Sequence, residues 1–172
     1  SIPKTSIFYE WAKLSEKISD SLRKKQSGKS LTHPTGYLYA IRKSLAPLLP
    51  PNTLSEDAYI GMKITLQGYK ILYEPQAEVF VKFPTTIVDF INQKSRTRAG
   101  FLQIRRWFRK STRGIGEELS VGLKDLIKEY KWKIHRMIFV SSMYFLSWVK
   151  AYWVIMRRRP FTSVWKRIES TK

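Results

Sequence analysis

Residues 55–77 read SEDAYIGMKITLQGYKILYEPQA and carry the start and end signals of a helix. Ser55 is a favoured N-cap residue, so a helix is predicted from Glu56 to Gln67, closed by the glycine that follows. Two adjacent carboxylates, Glu56 and Asp57, would occupy the first turn of that helix. They are candidates for acid–base chemistry, although acidic residues also favour the positive end of a helix dipole for structural reasons alone.

The pattern on both sides of this stretch predicts a mixture of strands and helices. β-Branched and aromatic residues predict strands at 37–42, 69–73 and 78–82. A short helix is predicted at 45–49, closed by two prolines. Apolar residues at helical spacing predict a helix over 5–25, and a possible capping box at Thr86 opens another that runs to about Lys110. The fold class is therefore predicted to be α/β, followed by a helical tail.

Four short motifs occur in an order that resembles the acceptor half of a family-2 inverting glycosyltransferase. They are TGYLYAIRK at 35–43, SED at 55–57, LQGYKILYEPQA at 66–77 and QKSR at 93–96. The resemblance covers roughly residues 7–100. It implies a partial GT-A-like domain (a nucleotide-diphospho-sugar transferase) that lacks its N-terminal nucleotide-binding half. Interfacial or transmembrane helices would follow, with the acceptor-side part at 1–110 and a membrane-associated tail at 111–172.

The resemblance implies catalytic roles for the two carboxylates of the SED motif. Asp57 matches the general base that removes the proton of the acceptor hydroxyl, and Glu56 would be a neighbour that hydrogen-bonds or tunes it. Gly36, preceded by Thr35, matches a small residue close to the donor sugar and acceptor. The alternative for Gly36 is that it only starts a strand after a turn.

Gln93 and Arg96 are three residues apart and share one helix face. By resemblance they contact the leaving diphosphate and the acceptor, a role that suits the planar fork of arginine. The alternative is a solvated basic face that also includes Arg98. Thr97 stands where the family usually has a tryptophan, which favours a non-processive enzyme, whereas Gly100 matches a glycine often found there.

The metal site and the nucleotide site of the family have no counterpart in the sequence. GT-A enzymes hold a divalent metal, Mg or Mn, with an Asp-x-Asp motif, and neither that motif nor a glycine-rich phosphate loop occurs here. No metal ligand is therefore assigned in this chain. We expect the chain alone to be inactive, with donor binding and metal ligation supplied by a preceding half.

The composition indicates an anionic partner. Lys and Arg number 32 against 13 Asp and Glu, giving a net charge of +19, and 14% of residues are aromatic. Every ionisable residue from 94 to 113 is basic, with aromatic residues between them, which favours an anionic membrane over nucleic acid.

Cysteine is absent, which excludes disulfides and cysteine-ligated metals. His33 and His135 lack ligand spacing and are interpreted as structural or surface residues.

Residues 137–149 and 151–156 form an apolar stretch interrupted by Lys150, about as long as a membrane-spanning helix requires. Basic residues flank it on both sides, and the positive-inside rule disfavours translocating either flank. Spanning, interfacial and soluble-core helices remain open at this point. The expected location is the membrane, with the catalytic side cytoplasmic.

The sequence therefore leaves two alternative functions. The first is inverting transfer of a sugar from a nucleotide-sugar donor to the hydroxyl of a glycan or lipid-linked acceptor. The second is a non-enzymatic, basic and aromatic-rich module that binds membranes or, less favoured, nucleic acid.

Overall fold

A computed structural model describes residues 7–29, 32–110, 116, 120, 127 and 134–157 of the chain. Its helices are α1 (Ile7–Gln26), α2 (Glu56–Leu66), α3 (Ile87–Phe108) and α4 (Ile134–Met156). The short helix predicted at 45–49 is not formed, and a 3-10 turn lies at Lys43–Leu45 instead. Of the tail predicted from residue 111 onward, only α4, residue 157 and three single positions lie within the described residues.

Helix α1 forms where the apolar spacing predicted it, and its apolar side packs into the main core. Leu14, Ile18 and Leu22 are buried together with Phe90 of α3 and Val140 of α4. Repetition at three- and four-residue intervals places these α1 side chains on one face, which is the face a helix buries. Helices α1, α3 and α4 therefore share one core.

Helix α2 begins after Ser55 and ends at Leu66, and Gly68 follows with a φ of +85°. A left-handed residue at this place ends a helix, and glycine adopts that conformation without a steric penalty. The buried side of α2, which includes Met62, packs against Phe101 and Ile104 of α3. Residues on α2 are thereby fixed relative to α3.

Helix α3 is the central element. The side-chain oxygen of Thr86 accepts a hydrogen bond from the Asp89 amide at 3.1 Å, as the predicted cap requires. The helix ends at Phe108, because Arg109 has a left-handed φ of 55°. One side of α3 faces α2 and the other faces α1 and α4, so it connects the two ends of the described chain.

The three predicted strands are not formed, and those predictions are wrong for the described residues. The β-pairing found there is an isolated bridge between Thr35 and Leu38. Residues 71–73 are instead held by single hydrogen bonds to the turn after α1, from the Gly28 amide to the Ile71 carbonyl at 2.9 Å and from the Tyr73 amide to the Ser27 hydroxyl at 3.0 Å.

The physical reason is the lack of a partner strand among the described residues. A strand needs a neighbour to satisfy its backbone groups and cover its apolar face. Here the Leu72 and Phe80 side chains are 76% and 98% exposed. The described part of the chain is therefore mostly helical, and the expected α/β character is not seen in it.

Helix α4 contains a stretch, Met137–Met156, that is long and apolar enough to cross a membrane, judged by length and composition. Among the described residues it is the one such helix. About a fifth of its most apolar window (22%) is buried inside the structure, less than expected of a helix enclosed in a soluble core. This composition supports membrane association and does not show which side of the membrane the protein occupies.

Candidate active site

Three segments of the chain meet at the N-terminus of α2. They are the turn at 35–38, the Ser55-Glu56-Asp57 sequence and the middle of α3. Gly61 of α2 makes the first approach possible, since a Cβ on it would stand 2.6 Å from the Cα of His33. Only a residue without a side chain admits backbone at that distance. The turn after His33 is thereby laid against the start of α2.

The carboxylate of Asp57 is held by one of its two oxygens. The Ser55 hydroxyl donates to Oδ1 at 2.6 Å, and the amide of Ala58 donates to the same oxygen at 2.8 Å. Oδ2 receives no hydrogen bond from any described residue. Asp57 is half-buried, so the carboxylate is fixed in orientation while one oxygen remains able to accept a proton.

Gly36 lies directly beside that oxygen. A Cβ built on Gly36 would be 3.3 Å from Oδ2 of Asp57. The turn that carries Gly36 is tied locally, since the amide of Tyr37 approaches the Thr35 hydroxyl at 3.5 Å. The absence of a side chain at Gly36 keeps space open next to Oδ2, and the structure thus brings together two residues that are 21 positions apart in the sequence.

Helix α3 supports this arrangement from the other side. A Cβ on Gly100 would stand 2.5 Å from the Cβ of Ser55, so α3 and the start of α2 pack with no room for a side chain between them. One turn further, the amide group of Gln103 accepts from the Leu54 amide and donates to the Asn52 carbonyl, both at 2.8 Å. These contacts fix the loop that leads into Ser55 and hence the position of Asp57.

Arg96 lies one turn before Gly100 and is half-buried. Burial lowers the pKa of its guanidinium, and the nearby Tyr37 phenol opposes that shift. The turn at 35–38 therefore lies close to both Asp57, through Gly36, and Arg96, through Tyr37. Gln93 is also half-buried, a turn earlier on α3, and the structure connects it to this group only through the helix itself.

Comparison with known families gives a match over nearly the whole chain. The family model described as glycosyl transferase family group 2 matches residues 4–165. The chain belongs to glycosyl transferase family 2. No curated protein and no solved structure matches it. This membership confirms the family inferred from the four motifs, and glycosyl transfer is the general activity it supports.

In this family-2 glycosyltransferase the contacts of the SED motif differ in one respect from expectation. Glu56 was expected to hydrogen-bond or tune Asp57, but the side chain is exposed, and the hydrogen bonds to Asp57 come from Ser55 and the Ala58 amide. Ser55 had been interpreted only as a helix cap, and its side chain makes no cap bond. The position of Ser55 at the start of the SED motif was the sequence signal for its contact with Asp57. Nothing in the sequence indicated that Gln103 holds the loop before Ser55.

The structure also shows the surroundings of the two histidines and of the basic residues on α3. His33 packs edge-on against Phe101, with ring centroids 4.8 Å apart, and His135 is exposed, in agreement with their interpretation as structural and surface residues. The alternative of a solvated basic face fails for Arg98, which is 2% exposed. Thr97 is exposed, and its hydroxyl donates to the Gln93 carbonyl at 3.1 Å.

The described residues do not fit a bound divalent cation. No group of three or more histidine, aspartate or glutamate side chains comes together within them. A hard cation such as Mg²⁺ is usually held by carboxylates together with phosphate oxygens and water. The carboxylates at this site are Asp57, one oxygen of which is already committed to two donors, and the exposed Glu56.

Proposed function

We propose that this family-2 glycosyltransferase catalyses inverting transfer of a sugar from a nucleotide-sugar donor to a hydroxyl, with Asp57 as general base. The acceptor would be a glycan or a lipid-linked saccharide. The observation that carries the proposal is the asymmetry of the Asp57 carboxylate. Oδ1 accepts from Ser55 and from the Ala58 amide, while Oδ2 lies open beside the backbone of Gly36.

The chemistry follows from that asymmetry. An acceptor hydroxyl placed at Gly36 would donate its hydrogen bond to Oδ2, and its oxygen would attack the anomeric carbon of the donor. The proton passes to Oδ2 as the new C–O bond forms and the bond to the nucleotide diphosphate breaks. A single displacement of this kind inverts the anomeric centre. The hydrogen bonds that Ser55 and the Ala58 amide donate to Oδ1 hold the carboxylate in place. They do not occupy Oδ2, the oxygen that receives the proton.

Arg96 is proposed to stabilise the leaving diphosphate. A guanidinium carries fixed donors that match phosphate oxygens, and its partial burial makes each contact stronger than it would be in water. Gln93 shares this helix face and would add an amide donor to the same group or to the acceptor. Thr35 and Gly36 would form the surface against which the acceptor rests.

The proposed architecture assigns residues 1–110 to the acceptor side of a GT-A domain and residues 111–172 to a membrane-associated tail. Donor nucleotide and any Mg or Mn would be held by a preceding half, since the described residues offer no cluster of metal ligands. The catalytic side is proposed to face the cytoplasm, and the chain alone is expected to be inactive.

The test is sugar transfer by the full-length protein in membranes, with Asp57→Asn compared to Glu56→Gln. Both substitutions remove one carboxylate charge from the first turn of α2, so their effects on the helix dipole are matched. The proposal expects Asp57→Asn to lose at least about 100-fold in kcat, the range for removing a general base, and Glu56→Gln to remain near wild type. Equal activity of both variants would remove Asp57 from the mechanism, and loss in Glu56→Gln alone would reassign the base.

A further inference from the structure

The amide group of Gln103 uses both its oxygen and its nitrogen on the loop that precedes the SED motif. The oxygen accepts from the Leu54 amide and the nitrogen donates to the Asn52 carbonyl, both at 2.8 Å. Residues 52–54 belong to neither a helix nor a strand, so these backbone groups need partners from another part of the chain. A single side chain of α3 therefore supplies an acceptor and a donor to this loop.

The backbone of the loop is bent where Gln103 holds it. Asn52 has a φ of 66°, in the left-handed region that residues other than glycine seldom adopt. The turn is closed by the Thr53 hydroxyl, which donates to the Pro50 carbonyl at 2.6 Å. The next residue, Leu54, is buried in a cluster that includes Ala99 of α3. A backbone conformation of this kind persists where its surroundings hold it, and Gln103 is part of those surroundings.

The loop leads directly to the candidate base. Leu54 adjoins Ser55, and the Ser55 hydroxyl donates to Oδ1 of Asp57 at 2.6 Å. Consecutive Cα atoms are a fixed distance of about 3.8 Å apart, so a displaced Leu54 takes Ser55 with it. Such a displacement would turn the carboxylate and move Oδ2 away from the open space beside Gly36. Gln103 thus acts on Asp57 through the loop and needs no contact with substrate.

Helix α3 also connects this loop to the proposed leaving-group contact. Arg96 and Gln103 are seven residues apart, which places them on one face of the helix and about 10 Å apart along its axis. Displacement of a leaving group requires the base and the group that receives the leaving oxygen to keep a fixed separation. A misplacement of about 1 Å can cost about 100-fold in rate. Through Gln103, α3 fixes Asp57 relative to Arg96.

We propose that Gln103 is a positioning residue for sugar transfer, whose amide holds the 52–54 loop so that Asp57 faces the acceptor hydroxyl. The inference rests on the proposed function of Asp57 as general base. It also specifies the chemistry required at position 103. The side chain must be uncharged and must accept from Leu54 and donate to Asn52 at the same time. An ionised glutamate has no donor and would set an oxygen against the Asn52 carbonyl.

The first test is the pH dependence of Gln103→Glu. A protonated carboxyl can accept through one oxygen and donate through the other, so it can replace both hydrogen bonds, whereas the ionised form cannot. The loop that faces position 103 carries no ionisable side chain, and Arg106, one turn further along α3, is exposed. The introduced carboxyl should therefore become protonated as pH falls towards about 4 to 5.

The measured quantity is kcat of the full-length variant in membranes divided by that of wild type, since this ratio cancels the titration of Asp57 itself. The ratio for Gln103→Glu should rise at least about fivefold between pH 8 and pH 5. The control is Gln76→Glu, at an exposed turn, whose ratio should stay constant. A ratio for Gln103→Glu that does not change with pH would overturn the proposal.

The second test separates this inference from the identity of the base. Gln103→Ala should lower kcat by about 10- to 100-fold with the donor Kd unchanged, and it should add little to the loss in Asp57→Asn, because the group that it positions is already absent. Wild-type transfer by Asp57→Asn would refute the proposed function, and this inference with it. If Asp57→Asn is slow, wild-type transfer by Gln103→Ala, or losses that multiply in the double variant, would refute the role of Gln103 alone.

Discussion

Replacing Gly100 with alanine should push α3 away from the loop that positions Asp57. The new Cβ would lie 2.5 Å from the Cβ of Ser55 and 3.3 Å from its backbone nitrogen. Apolar carbon atoms pack at about 3.5–4.0 Å, so Ser55 or α3 must move by roughly 1 Å or more. The neighbour is backbone and Cβ, which cannot swing aside as the end of a long side chain can. Overpacking of this kind costs about 1–3 kcal/mol.

A matched substitution separates that cost from helix propensity. Alanine in a helix is favoured over glycine by about 1 kcal/mol. Gly116, outside the four helices named above, is also helical, and a Cβ on it would meet nothing within 4 Å. Urea unfolding of the two variants should therefore differ by about 1–3 kcal/mol, with Gly100→Ala the less stable. Since Ser55 orients the Asp57 carboxylate, a shift of about 1 Å should also lower kcat by up to roughly 100-fold.

The result that would refute this reasoning is equal unfolding free energies for Gly100→Ala and Gly116→Ala together with wild-type transfer by both. It would mean that the close contact of α3 with Ser55 is absent in solution. The account of how Asp57 is positioned would then fail, whatever the identity of the base.

Two further substitutions test contacts away from the base. Ser147→Ala removes the acceptor of the buried Arg98 hydrogen bond and should cost about 1.5–3 kcal/mol in urea unfolding, the range for hydrogen bonds to charged groups. Ser142→Ala on the exposed side of α4 is its control, and equal effects would contradict the buried contact. Tyr73→Phe removes a 2.6 Å hydrogen bond to a carboxylate of α1 and should cost about 1 kcal/mol, whereas Tyr69→Phe should be neutral. A Tyr73→Phe protein as stable as wild type would show that residues 71–73 are not held there.

The Tyr73 hydrogen bond also has a pKa signature. Donation to Asp20, together with burial, raises the pKa of the Tyr73 phenol above its ordinary value. A folded-state pKa above the unfolded one contributes stability that is complete below the unfolded value near 10 and is lost as pH rises through the folded value. Stability contributed by this group should therefore be constant at neutral pH and decline only in alkaline solution.

Local signals in the sequence were sufficient to locate α1, α2 and α3. The spacing of Leu14, Ile18 and Leu22 identified α1, and the serine or threonine before α2 and α3 located their first residues to within a position. These features depend on neighbouring residues along the chain, because helix hydrogen bonds and caps are local. The family was predicted in the same way, from short motifs in a fixed order.

The strands could not be judged from the same information. A run such as 69–73 has strand composition, but a strand exists only where a second one pairs with it, and that partner is not a property of the run. The same limit applies to Arg98. Sequence places it among basic residues of a solvated face, while its burial depends on Tyr144, Ser147 and Trp148, about fifty positions away.

The choice of Asp57, Gly36 and Arg96 as site residues came from motifs and stays a prediction. The structure places Gly36 beside Asp57 and Tyr37 near Arg96. Ser55 and Gln103 acquire their positioning contacts only in three dimensions, since the partners of Gln103 lie about fifty residues earlier.

The central claim is that Asp57 removes a proton while other groups hold the donor. It is tested most directly by measuring single-turnover transfer and donor affinity on the same preparation of full-length Asp57→Asn protein. The account predicts a transfer step slowed by at least about 100-fold with the donor Kd unchanged. A wild-type rate of transfer, or a loss explained entirely by weaker donor binding, would contradict it.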